Sequence, residues 1–178
     1  MYLDSLLQFD SAANLAQAAA TYNSANVIDL HGVSGSVIPV LANGQGARDI
    51  GIGDNPSLKL MVLVTTTFTS AGAATLQVNF QGAPDNGSAL PGSYTTYASS
   101  ATYALASLIA GARLMDQDVP RPPAGTVFPR FLRLTYVIGT ATTTAGTVES
   151  FIVGDRFDQP EISNAVLSGY PAGITVSN

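Results

Sequence analysis

The strongest constraint on this chain is one apolar run, Leu60-Met61-Val62-Leu63-Val64, inside a stretch of aliphatic and β-branched residues at 58–67. A run of this length without helical period belongs to a strand covered on both faces, which places it inside a sheet. Its neighbours alternate instead. Over 74–81, Leu76, Val78 and Phe80 fall on one face and Gln77, Asn79 and Gln81 on the other, and the Ser70, Ala71, Gly72 turn before them predicts a hairpin with one wet face. Over 128–138, Leu132, Leu134, Tyr136 and Ile138 oppose Arg133 and Thr135; Val148, Ser150 and Ile152 alternate with Glu149 and Phe151. At 26–31, Val27 and Asp29 oppose Ile28 and Leu30.

Turn chemistry separates these segments: Pro84, Asp85, Asn86, Gly87, Pro91 and Gly92 mark a tip loop, and three prolines lie in 119–125. Residues 94–114 read as two short strands broken near Ala110 and Gly111, and 37–41 as an edge strand because Pro39 cannot donate to a ladder. About eight strands with no amphipathic helix between them predict an antiparallel sandwich, barrel or jelly roll. The expected core is Leu60, Val62, Val64, Leu76, Val78, Phe80, Leu132, Leu134 and Tyr136. The ends lack this alternation. Alanine-rich residues 11–20, capped by Asp10 or Ser11, read as an arm or a marginal helix, and the tail reads as an extended arm. The expected organisation is an N-terminal arm at 1–25, a β domain at 26–154 and a C-terminal arm at 155–178, within 178 residues that fit one domain.

Charge narrows the partners. Only 11% of residues are charged, against roughly 25% in an average soluble protein, and 46% are hydrophobic. A net charge of −5, with Lys59 the only lysine, is the wrong sign for nucleic acid and supplies no polybasic patch for anionic lipid. No apolar run approaches the ~20 residues of a membrane-spanning helix, and no basic residue precedes Arg48 to begin a secretory signal, so synthesis in the cytoplasm is expected. The absence of cysteine removes disulfides and thiolate chemistry.

Candidate chemistry is sparse. Asp29 and His31, the only histidine, share a strand face, so a carboxylate could orient an imidazole, but no Gly-x-Ser-x-Gly elbow supplies a serine and 32–36 reads as a turn. Gly44, Gly46, Gly51 and Gly53 lack the spacing and following helix of a dinucleotide loop. Asp49, Asp54, Asp85, Asn86, Asp116 and Asp118 offer oxygen ligands without the spacing of a calcium loop, and their ordinary role is turn formation. Glu149 and Glu161 are the only glutamates, a poor basis for glycoside hydrolysis. Tyr94, Tyr97 and Tyr103 could stack on sugar, yet their spacing mixes strand faces and favours core or subunit-interface packing. No catalytic, cofactor-binding or metal-ligating residue is assigned.

Several segments, in order, resemble one family: Met1-Tyr2-Leu3-Asp4, Asn26-Val27-Ile28-Asp29-Leu30, Ala47-Arg48-Asp49-Ile50-Gly51-Ile52-Gly53, Phe68-Thr69-Ser70-Ala71-Gly72-Ala73-Ala74-Thr75-Leu76 and Arg130-Phe131-Leu132-Arg133-Leu134-Thr135-Tyr136. The chain resembles, over roughly residues 1–153, the capsid cement or decoration proteins of tailed bacteriophages, of the type described for a Bordetella phage. The segments 32–46 and 154–178 depart from that pattern. The resemblance implies a jelly-roll sandwich with extended arms, acting without catalysis or cofactor on the outer capsid surface of the virion. Its implied partners are the major capsid protein and itself, as a homo-oligomer, dimer or trimer. The alternative is a carbohydrate-binding jelly-roll module for host attachment, aided by calcium.

Overall fold

The structure is a computed structural model that describes residues 7–30 and 58–154. Within them the chain forms ten strands: β1 (Gln8–Asn14), β2 (Thr21–Asn23), β3 (Ile28–Asp29), β4 (Leu58–Ser70), β5 (Thr75–Ala83), β6 (Thr95–Ser99), β7 (Tyr103–Ala104), β8 (Arg113–Asp118), β9 (Phe131–Gly139) and β10 (Thr143–Gly154). A short 3₁₀ turn, Leu105–Ser107, follows β7. All pairings between the strands are antiparallel. One sheet has the order β1-β10-β4-β8; the other has the order β2-β9-β5-β6, with β3 on β9 and β7 on β5. The expected all-β, antiparallel class is what the chain adopts.

The apolar run of β4 explains its place. Leu60, Val62 and Val64 point into the main core, while Met61 joins Phe151 and Val153 in a second buried cluster on the opposite face. Over 60–64 its side chains are buried or half-buried on both faces, so the strand belongs inside a sheet and requires a partner on each edge, here β10 and β8. That requirement corrects the expected hairpin between β4 and β5. With both edges of β4 occupied, the Ser70 turn carries the chain across to the other sheet, where β5 pairs with β9 from Thr75↔Gly139 to Ala83↔Phe131 without a register shift. The β9–β10 turn crosses back beside it. A Cβ at Gly72 would lie 2.9 Å from that of Ala141, so the two crossovers pack together only because one of them lacks a side chain.

The nine expected core residues are all buried, and their rows from β4, β5 and β9 meet between the sheets. Each such side chain contributes on the order of 1.5–3 kcal/mol through burial. The N-terminal segment completes this core, which corrects the expected arm or marginal helix. Residues Gln8–Asn14 run along β10, with register shifts on either side of Asp10, and Thr21–Asn23 adds to β9. Phe9 is fully buried, its ring edge-on to Phe80 at 6.2 Å. Pairing and burial of Phe9 outweigh the few tenths of a kcal/mol per residue by which alanine favours a helix. The expected C-terminal arm and the Pro39 edge strand lie outside the described residues.

A polar knot joins the two sheets. The Tyr136 hydroxyl (β9) donates to Asp10 Oδ2 (β1) at 2.6 Å, and Ser150 Oγ (β10) donates to the same oxygen at 3.0 Å; the two hydroxyls lie 2.9 Å apart. Asp10 Oδ1 accepts the Ala25 N–H at 2.8 Å. Burial, then the charge and hydrogen bond of Asp10, push the Tyr136 hydroxyl pKa well above its ordinary value, so it remains a donor. Tyr136→Phe removes one donor and keeps the ring. The expected loss is about 1–3 kcal/mol of stability, with Ser150→Ala in the lower part of that range, both read as shifts of the urea midpoint.

Candidate functional site

At one end of the sandwich β9 begins, β8 and β5 finish, and three connections converge on Arg130. Its N–H donates to Ala83 O at 2.9 Å and its carbonyl accepts the Leu30 N–H at 2.8 Å, which places it between the ends of β5 and β3. The guanidinium grips Asp29 with two parallel bonds, Nε to Oδ1 and Nη2 to Oδ2, each 2.9 Å, and its Nη1 donates to Asp85 Oδ2. Asp85 in turn caps its own loop, Oδ1 accepting the N–H groups of Gly87 (2.8 Å) and Ala89 (3.1 Å). One side chain therefore ties β3, the tip loop and the entry to β9. Desolvation pushes Asp85 upward, but the Gly87 N–H, the Arg130 bond and charge, and the Ala89 N–H outweigh it and hold the carboxyl below its usual value. Hydrogen bonding to Asp29 is the largest cause that holds the Arg130 pKa above its ordinary value, so the guanidinium stays charged.

Around this frame apolar side chains stand in solvent. Val127 is 70% exposed, Phe128 56% and Leu90 58%, with Val27 also exposed two residues before Asp29. Single exposed hydrophobics are ordinary; here Leu90 lies on the loop that Asp85 caps, and Val127 and Phe128 lie just before Arg130. Sequence reading identified the tip loop and the Asp29 strand but missed Arg130 as their link. The available signal was an arginine opening a strand just after the proline-rich segment 119–129.

Among the described residues the other candidates do not assemble. His31, Asp49, Asp54, Gly44, Gly46, Gly51, Gly53 and Glu161 lie outside the described residues. Both oxygens of Asp29 are engaged by Arg130. Asp116 takes a bond from Arg113 at 3.0 Å, Asp118 pairs with Lys59, and no three acidic or histidine side chains gather as a metal site among the described residues. The three tyrosines take separate roles. Tyr97 packs edge-on to Phe80, Tyr103 donates to Leu114 O at 2.9 Å, and Tyr94 lies 3.6 Å beneath the Arg133 guanidinium. Asp10, Ser150 and Tyr136 combine an acid and two hydroxyls, a grouping the sequence reading missed. Each is at most 2% exposed, so the cluster is closed to a substrate.

The sequence model of the Bbp16 family matches residues 11–152, from within β1 to within β10. The chain belongs to the Bbp16 family. The family takes its name from a Bordetella phage protein, which makes this a phage-associated β protein. No curated protein matches the chain. The Bbp16 match takes in β9 and the tip loop, hence Arg130 and its two aspartates. No helix among the described residues is long and apolar enough to cross a membrane.

The frame has a pH signature. Because the folded pKa of Asp85 is depressed, its contribution to stability is present above the unfolded value near ~3.9 and is lost as pH falls through the lower folded value. Arg130→Met should therefore lower the melting temperature at pH 7 more than at a pH below the folded value of Asp85, where that carboxyl is protonated. Equal losses at both pH values in thermal scans would show that the side chain acts through packing alone.

Proposed function

We propose that this chain is a structural, non-enzymatic capsid cement protein. In this reading it is a jelly-roll sandwich that binds the outer surface of a tailed-phage head and stabilises contacts between major capsid subunits. The observation that carries the reading is Bbp16 membership over residues 11–152, the whole span of the described sandwich apart from its first and last few residues. Physical features support it. A cement protein has to add contact area across subunit seams, and the Arg130 end offers apolar groups on loops already locked in place, so little ordering entropy is lost on docking. The chain has few charges to desolvate. Its partners in this reading are the major capsid protein and other copies of itself.

Contact area should dominate affinity. Exposed ion pairs contribute about 0.2–1 kcal/mol each and weaken with salt, whereas apolar burial gives ~25 cal/mol per Å² and persists. Decorated heads should keep the protein in molar salt, and heads stripped of it should lose DNA at a lower temperature with unchanged geometry. Val127→Ser/Phe128→Ser should reduce occupancy of heads while the free protein melts as before, since both side chains are exposed. Complete release in molar salt, or stripped heads as heat-resistant as decorated ones, would defeat the proposal.

A further inference from the structure

The outward face of the six-stranded sheet carries amides and hydroxyls in rows that cross its strands. Asn23 pairs with Thr135, Thr135 with Asn79 and Asn79 with Ser99, so these side chains form one row. Gln81 stands between Arg133 and Thr96 in a second row, and Gln77 beside Val137 in a third. Successive rows lie roughly 7 Å apart and neighbouring strands about 4.8 Å apart. Arg133 is the only charged side chain in these rows.

The face is braced by its own side chains. Asn79 Nδ2 donates to Thr135 Oγ1 at 3.4 Å, Gln77 Nε2 to Ser100 O at 3.2 Å and Gln81 Nε2 to Thr96 Oγ1 at 3.1 Å. Gln81 Oε1 accepts the Arg133 Nε–H at 2.9 Å, and the guanidinium lies 3.6 Å from the centroid of the Tyr94 ring. Those two contacts orient the guanidinium and leave Nη1 and Nη2, an edge that can take a carboxylate in two parallel bonds, without an acceptor among the described residues. Arg113 and Arg130 meet aspartates; Arg133 meets none among the described residues. It stays unneutralised and half-buried in a chain that has more carboxylates than cations.

We propose that this face binds a carboxylate-bearing saccharide, Arg133 holding the carboxylate while the amides of Gln77 and Asn79 meet sugar hydroxyls. The ligand class follows from the chemistry. A preoriented guanidinium selects a planar anion, and one cation matches the single charge of a carboxylate better than the near-double charge of a phosphate monoester. Amides both donate and accept, as sugar hydroxyls do. A protein partner would need an apolar centre to its interface, and the only apolar side chain in these rows is the half-buried Val137. Because the groups are already braced, little ordering entropy is lost on binding. This activity is additional to the cement reading and does not rest on it.

Retention of the full chain on immobilised bacterial polysaccharides that contain uronic acids, beside carboxyl-reduced forms of the same polymers, tests it. The wild type should bind acidic polymer, and carboxyl reduction should weaken retention about tenfold or more, as should Arg133→Met. Gln81→Glu gives Arg133 an internal carboxylate, so this variant should lose retention while melting no lower than the wild type, which keeps the test independent of whether Arg133→Met folds. Retention on none of the polymers, equal retention on the reduced forms, or a Gln81→Glu protein that binds as before would each overturn the proposal. So would reduced occupancy of phage heads by Gln81→Glu without any retention of the wild type on polysaccharide, which would assign Arg133 to a carboxylate of the shell.

Discussion

Two sheets bury their inward rows against each other, and every other feature of this protein is arranged around that contact. Four long strands, β4 and β10 on one side and β5 and β9 on the other, supply most of it, and the strands joined directly by a turn, β4 to β5 and β9 to β10, lie in opposite sheets. The two crossover turns, joined at Gly72 and Ala141, convert sequence neighbours into partners across the core. Within an otherwise apolar interior, Asp10, Tyr136 and Ser150 form a directional contact. Apolar rows can slide at modest cost, whereas displacing any of these three leaves a buried polar group without a partner, so the knot fixes how the sheets are set.

The same contact creates the surface at the Arg130 end. Loops that leave the ends of packed strands are confined by them, and Arg130 confines them further by holding Asp29 and Asp85 together. A bidentate pair with a second carboxylate is a stronger tie than an isolated surface ion pair, because the guanidinium fork fixes geometry as well as distance. Val127, Phe128 and Leu90 are then presented by a frame that has lost most of its freedom before any partner arrives. This suits the proposed role in binding a shell.

Much of this arrangement was legible in the residues, for a local reason. Period-two alternation reports which side of a strand faces the core, and it named Leu76, Val78, Phe80, Leu132, Leu134 and Tyr136 correctly without knowledge of any partner strand. The doubled burial of β4 was equally local, since Met61 lies between Leu60 and Val62. Failures came where a residue's role depends on something distant. Phe9 and Asp10 looked like part of an arm because their partners, Phe80 and the Tyr136–Ser150 pair, are far away in the chain. The expected β4–β5 hairpin failed similarly, since its turn residues suit a sheet crossing as well as a tight return.

The sequence by itself determined an antiparallel β protein with few charged residues, a central β4, and loops at the observed breaks, because alternation, turn chemistry and charge act over a few residues. Only the tertiary structure decided which strands pair, which strand is left at an edge, and that Arg130 joins Asp29 of β3 to Asp85 of the tip loop. Pairing is a competition among all strands for a limited number of edges. A strand's own residues state that it needs a neighbour, and the packing of the whole chain selects which one.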